Sequence, residues 1–395
     1  MTIAKQIETY LTRSSWIRKM FEEGNRLAEL YGRDNVFDFS LGNPNVSPPG
    51  KFKSILEETA KASLPEDHGY MANVGYPHVR QAVAQQISRE QNTIVTPDDV
   101  IMTCGAAGAL NITLKAILDP GDEVLSPTPC FVEYGFYVEN HGGVFKTVPA
   151  NPDFSLNLEA ISEAITPKTK AIIINSPNNP TGAVYTEESL MNLGRILREK
   201  SKAFDRTLYL ISDEPYRKII YDQVLVPSIF TCYPDSIIAT SYSKDLSLPG
   251  ERIGFAAVNP NAAFKKDVLA GMALANRILG FVNAPAFMQR IVAALQGEHV
   301  DIARYARKRD LLCEGLKSLG YEFTLPKGAF YLFPKSPLKD DVAFVNLLQE
   351  EHILTVPGSG FHGPGHFRIA FCVDDQTIIN ALPGFARAME KSKKA

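Results

Sequence analysis

Cysteine is sparse in this 395-residue chain: there are five (Cys104, Cys130, Cys232, Cys313 and Cys372), an odd number with no C-x-x-C pair. That pattern reads as reduced thiols in a cytoplasmic protein rather than a disulfide framework. A charge excess is also missing, since 41 basic against 44 acidic residues leave a net charge of −3. No electrostatic footprint for a nucleic-acid partner follows from that balance. Long apolar runs are lacking; stretches such as AIII (Ala171 to Ile174) are strand-sized and far short of a membrane span. Lys5, Gln6 and Glu8 interrupt the N-terminus where a signal peptide needs an apolar core, so export is not expected. No internal repeat, low-complexity tract or Gly/Ser-rich linker occurs, and neither a Walker A run nor a G-x-S-x-G elbow is found. Gly358-Ser-Gly360-Phe-His-Gly363 matches G-x-G-x-x-G letter for letter, but it runs through Pro364 into the strand-like HFRIAF instead of opening a helix, and reads as a loop. His362 and His366 stand four apart, yet Gly363, Pro364 and Gly365 between them preclude a helical metal pair, so no metal site is expected.

What is present is globular. Hydrophobic residues make up 45% and charged residues 22%, and the length leaves room for roughly two or three domains. The spacing of Trp16, Met20, Phe21, Leu27 and Leu30 predicts a long first helix, capped by Ser14 or Ser15 and ended by Gly32. From about residue 99, short apolar runs alternate with helical patterns: DVIMTC, then LNITLKAIL, EVLS, KAIIIN, a helix from about Thr186 to Phe204, TLYLIS and SIIATS. This alternation is the signature of a mainly parallel sheet covered by helices. Beyond Asn259 helices dominate, one spanning roughly His299 to Leu319, and YEFTL, GAFYLF and HFRIAF read as strands before a last helix. The expected architecture is α/β, with a large domain over residues 46–290. A smaller α+β domain is expected from both chain ends, 1–45 and 291–395.

In such sheets ligands sit beyond the carboxyl ends of the strands, so the first polar residues after each apolar run are the candidates. After AIII come Asn175 and the run S-P-N-N-P-T-G with Asn179; after LYLIS comes Asp213-Glu-Pro-Tyr216; after IIATSYS comes Lys244, with Arg252 eight residues on. Each residue alone has a bland explanation: a surface lysine, a helix-capping aspartate, a turn asparagine, a packed tyrosine. Together at successive strand ends, a carboxylate, a lysine and an arginine converge on one edge of one sheet.

The runs S-P-N-N-P-T-G, S-D-E-P-Y and S-Y-S-K-D-L-S-L-P-G-E-R-I-G resemble the pyridoxal-phosphate aminotransferases of fold type I, class I/II. The match extends from Gly42 in LGNP to Arg368 in HFRIAF. The resemblance implies that Lys244 forms a Schiff base with pyridoxal 5'-phosphate and, once freed, carries the proton between the substrate Cα and the cofactor. It implies that Asp213 pairs with the pyridine nitrogen, and that Tyr216 and Asn179 hydrogen-bond the phenolic oxygen. For the phosphate it implies Arg252, Ser241 before Ser243, and the backbone N–H groups of Gly105, Ala106 and Ala107 at a helix start. Phe131 stands where the family stacks an aromatic side chain on the ring, with ordinary core as its plain reading. Tyr70 stands where a tyrosine reaches the phosphate of the neighbouring subunit, which implies a homodimer with shared sites. Arg368 is implied to grip the substrate α-carboxylate, with Gly42 letting the backbone approach it.

The implied activity is transfer of an amino group from an L-amino acid to a 2-oxo acid in two half-reactions. A C–S β-lyase or other carbanion chemistry on the same fold shares every residue above, because the orientation of the scissile bond decides the outcome. A regulator with an aminotransferase-like domain would need a DNA-binding domain ahead of it, and only about 40 residues precede Gly42. Aspartate is not expected as the preferred donor. The lysine that one aspartate-specific subgroup carries in the phosphate loop is replaced by Ala107, and Arg277 stands one residue out of register with the arginine of another.

Overall fold

The computed structural model describes residues 2–12 and 16–394, without the side chains of Thr12, Ile17, Arg18 and Phe21. Its centre is a seven-stranded sheet in the order Val100–Thr103, Gly254–Val258, Ser236–Ser241, Tyr209–Asp213, Thr169–Asn175, Glu123–Thr128, Val144–Pro149. Only Gly254–Val258 runs against the other six. The apolar runs are continuous because both faces are covered. Ile172, Ile174, Leu210 and Ile238 belong to the core on one face, while Ala171, Ile173, Ile211 and Ile237 belong to the core on the other.

The crossovers follow their sequence signals. Thr186 caps the helix Glu187–Ala203 by accepting a hydrogen bond from the Ser189 N–H, which satisfies one of the orphan donors of a helix start. The first long helix spans Trp16–Tyr31 and stops at Gly32, whose φ of 84° is open to glycine at little cost. Met20 and Leu27 are buried on its inner face, whereas Leu30 is exposed, off the expected apolar stripe. The expected cap, Ser14 or Ser15, lies outside the described residues, as does the Phe21 side chain.

A third apolar cluster gathers residues from both chain ends. Met20, Leu27 and Phe39 pack with Leu312, Phe330, Phe344, Phe367, Ile369 and Phe385, and Tyr216 and Ile219 join from the loop beyond the large sheet. The three short strands Val356–Pro357, Phe367–Ala370 and Tyr331–Leu332 form an antiparallel sheet here, with Phe37–Asp38 paired in parallel to Ile353–Leu354. The expected strand at YEFTL is not formed. Tyr321 is instead an anchor: its ring is buried among Phe344, Phe367 and Phe385, and its hydroxyl donates to the Phe385 carbonyl. The sequence alternation there reflects a single buried ring in an extended loop, not a ladder. The G-x-G-x-x-G run forms a short 3-10 turn, Gly358–Phe361, and then a loop into Phe367–Ala370, as its proline and glycines dictate.

Candidate active site

The direction of the strands assembles the site. Asn175 pairs with Asp213 and Asp213 with Ala239, so the residues after these strand ends emerge side by side. The reversed strand adds a cation to the same edge. Gly254 is in register with both Ser241 and Thr103, the last residues of their strands, so Arg252 just before it meets Lys244 and the Gly105 turn. A parallel strand there would have put this arginine at the opposite end of the sheet.

A cavity of about 770 Å³ opens at this edge, lined by Gly42, Ala106, Ala107, Phe131, Asn179, Asp213, Tyr216, Ser241, Ser243, Lys244, Arg252 and Arg368. Gly105 lies directly behind Arg252: its φ is +75°, and a Cβ on it would stand 3.0 Å from the guanidinium. The helix Gly105–Ile117 starts there, leaving the first-turn N–H groups free of intrahelical partners. Tyr70 is not part of this cavity and is 94% exposed. Arg277, near the end of the helix Lys265–Ile278, is also exposed and does not line it. Among the described residues there is no cluster of side chains that could hold a metal ion, and no helix is long and apolar enough to cross a membrane.

Lys244 donates from Nζ to the Gly42 carbonyl at 2.7 Å. Burial lowers its pKa to about 8; Cys372 works against that shift, and the cationic Arg368 and Arg252 add to it. Asp213 is buried and accepts the Tyr134 hydroxyl on Oδ2 at 2.5 Å, while Oδ1 has no partner. Burial pushes it up to about 7, opposed by the Tyr134 hydrogen bond and assisted by Glu214. The Asn175 amide ties the two strand ends together: Nδ2 donates to the Asp213 carbonyl at 2.8 Å and Oδ1 accepts the Asn179 N–H at 2.6 Å. Tyr216 and Tyr331 share a hydroxyl–hydroxyl hydrogen bond of 2.7 Å, and burial raises both pKa values, that of Tyr331 to about 12.

Arg368 is 1% exposed, a cost that only dedicated partners offset. Its guanidinium lies 4.6 Å from the Tyr331 ring centroid and 4.7 Å from that of Phe361. It donates to Asn179 Oδ1 at 3.0 Å and to the Ser40 carbonyl, and Nε is left without a partner. Gly42 faces Tyr331 so closely that a Cβ there would run into the phenol.

Several residues of the site were not singled out by the sequence. Tyr134 follows Phe131 at helical spacing, a signal that was present in SPTPCFVEY but carries no chemistry until Asp213 is placed beside it. Tyr331 lies inside the apolar run GAFYLF, where it reads as core. Ile7, Tyr10 and Leu11, from the helix Lys5–Thr12, line the cavity with Glu133, Phe136 and Tyr137.

The sequence matches the family "Aminotransferase class I and II" over residues 34–384. It is 35% identical over 357 residues to a probable aspartate aminotransferase of Methanocaldococcus jannaschii, a match covering 88% of this chain and 92% of that one. It is 33% identical to an aspartate/prephenate aminotransferase of Thermus thermophilus, over 89% of this chain and 91% of the relative. The crystal structure of an aminotransferase from Eubacterium rectale superposes with a TM-score of 0.96 at 38% identity, covering 99% of both chains. The cavity suits the cofactor of that family on chemical grounds of its own. It offers a buried carboxylate oxygen and a buried guanidinium nitrogen that lack partners, an amine shifted toward neutrality, and hydroxyl, arginine and helix-start donors for a phosphate. Sequence, fold and cavity agree, and the chain belongs to the class I and II aminotransferases, pyridoxal-phosphate-dependent enzymes that pass amino groups between amino acids and 2-oxo acids.

Proposed function

We propose that Lys244 is the residue that holds the cofactor and moves the substrate proton, with Asp213, Arg252 and Arg368 fixing the ring, the phosphate and the substrate carboxylate. The observation that carries this reading is the convergence of all four on one cavity, with an amine whose pKa burial brings to about 8. Pyridoxal phosphate supplies an aldehyde for amines and a ring that withdraws electrons from the substrate Cα. Asp213 would hold negative charge beside the ring nitrogen, Tyr216 and Asn179 would offer hydrogen bonds to the phenolic oxygen, and Phe131 would lie against the ring. Arg252, Ser241, Ser243 and the backbone of Gly105, Ala106 and Ala107 would hold the phosphate. Arg368 grips the α-carboxylate as a fork, and Gly42 lets it come close to the backbone. The Lys244 amine, once free, would be the group that carries the proton taken from the substrate Cα.

The enzyme is a homodimer in this reading, because Tyr70 occupies the place of the family tyrosine that reaches the neighbouring subunit's phosphate, and its 94% exposure in the single chain leaves it open to a second copy. Two domains, 46–290 and the joined ends 1–45 and 291–395, are part of this reading; separate apolar clusters around the sheet and around the chain ends support two bodies, although Ile291, Val292 and Leu295 pack with the sheet and Val46, Tyr216, Ile219 and Tyr221 with the chain ends. The location is cytoplasmic in this reading, in keeping with five free thiols.

The test is a half-reaction. The holoenzyme mixed with a single amino acid and no oxo-acid acceptor should lose its visible band and release one 2-oxo acid per site. A band that persists while ammonia and oxo acid accumulate would make the enzyme a lyase.

The pKa of Lys244 has a consequence of its own. At pH 8 an amine titrating at about 8 is half neutral, about 100-fold more than an ordinary lysine titrating near 10.4. Capture of pyridoxal phosphate by the cofactor-free enzyme should therefore speed up as pH rises through about 8 and level off above it. Rapid-mixing absorbance across that range checks this, and a rate still climbing at pH 10 would contradict it.

A further inference from the structure

We propose that the donor is an amino acid with an uncharged, apolar side chain, and that Glu133 excludes side chains ending in a carboxylate. The inference rests on the roles given above to Lys244, Arg252 and Arg368. Those three are the only cations lining the cavity among the described residues, and each is committed to the cofactor or to the α-carboxylate. Within one chain none remains for a second, distal carboxylate. Arg277 does not line the cavity of its own chain, and it stands one residue out of register with the arginine that serves aspartate in a related subgroup. The phosphate-loop position that could have carried a lysine is Ala107.

The wall that no cofactor or carboxylate contact claims is apolar. The helix Lys5–Thr12 presents Ile7 and Leu11, one turn apart, to the cavity. Its Tyr10 ring meets Phe136 edge to face, with centroids 4.7 Å apart, and Gln6 Nε2 donates to the Glu139 carbonyl at 3.5 Å. This helix is thereby seated on the helix Glu133–Glu139, and Phe136 and Tyr137 complete the wall. Ile7 is 48% and Leu11 62% exposed, apolar surface that an apolar substrate side chain would cover.

Glu133 is the one acid on that wall. It is half-buried and lacks any hydrogen-bond or ion-pair partner among the described residues. Burial alone acts on its carboxyl, raising its pKa, and no cation shifts it back. A substrate carboxylate brought beside it would face a like charge with no counter-ion, in a site where the hydration of both is reduced. A neutral side chain meets no such penalty and gains contact with Phe136, Ile7 and Leu11.

The experiment uses the holoenzyme and reads two quantities. Half-reaction rates are measured for leucine, methionine, phenylalanine, aspartate and glutamate, and dissociation constants for 3-phenylpropionate and succinate are measured by spectral titration. The best neutral donor should exceed aspartate by about 100-fold in kcat/KM, and 3-phenylpropionate should bind about tenfold more tightly than succinate or better. Glu133→Gln and Glu133→Ala should each narrow both ratios by about tenfold. Aspartate or glutamate as the fastest donor, succinate as the tighter ligand, or ratios that both variants leave unmoved would overturn the proposal. The inhibitor titration keeps it separate from the reaction assignment: a preference for 3-phenylpropionate without conversion of the band by any amino acid would fail transamination and uphold the apolar subsite.

Discussion

Lys244→Ala is expected to lower turnover by at least about 10⁴-fold while pyridoxal phosphate stays bound without a covalent link. No other group in the cavity is placed to substitute. Arg252 and Arg368 are taken up by the phosphate and the α-carboxylate in the proposed arrangement. Asp213 is held by the Tyr134 hydroxyl, and Glu133 belongs to the apolar wall with Phe136 and Tyr137. Positioned acid–base transfer is worth about 10²–10⁴-fold by itself, and the loss of the nucleophile adds to it. Retention is expected because Arg252, Ser241, Ser243, Asp213 and the helix start at Gly105 are untouched, and charge-assisted hydrogen bonds contribute about 1.5–3 kcal/mol each. The variant should show a shifted visible band, no cross-link after borohydride reduction, and partial rescue of the half-reaction by a small primary amine. Rescue separates lost chemistry from lost folding. A variant that turned over at the wild-type rate would remove Lys244 from the mechanism and the proposed site with it.

The parts of this site that could be read from the chain are those in which residue type and strand end coincide. Asp213 ends a run of five buried strand residues, and Lys244 lies three residues past the end of the neighbouring, largely buried strand, so a parallel sheet alone brings them to one edge. Arg252 lies there for a reason the residues do not announce: GFAAV reads as a strand of either direction, and only its reversal carries the arginine to the site. Tyr134 and Tyr331 were illegible for a different reason. Each is a buried tyrosine in an apolar context, and its partner lies 79 or 115 residues away. YEFTL fails in the opposite sense, because alternation records burial, and Tyr321 is buried without a neighbouring strand to pair with. The helix Lys5–Thr12 carries only an apolar pair one turn apart, which marks a face but not what that face meets. What was hidden, then, is the wall on which substrate choice depends.

Asp213→Asn is the other large effect, with kcat expected to fall by about 10³-fold. The side chains have the same shape, so the Tyr134 hydroxyl at Oδ2 and the Asn175 amide on the Asp213 carbonyl keep their geometry. What changes is charge. Burial raises the pKa of Asp213 to about 7 in the absence of a counter-charge, with Glu214 contributing, so this carboxylate favours a cationic partner at its unpartnered Oδ1. A protonated ring nitrogen is such a partner, and the resulting pair would hold Asp213 ionised below pH 7. Asparagine cannot hold that proton in place, so the loss should fall on kcat rather than on KM. Cofactor affinity should suffer less, because the phosphate donors remain. Tyr134→Phe provides the contrast: it removes one hydrogen bond and leaves the charge, for an expected loss of about tenfold, near 1.4 kcal/mol. Steady-state kinetics together with the pH dependence of the visible band distinguish the two. If Asp213→Asn kept kcat within tenfold of wild type while Tyr134→Phe lost more, the buried charge would not be what draws electrons from the substrate, and the role of that strand end would be to place Tyr134 instead.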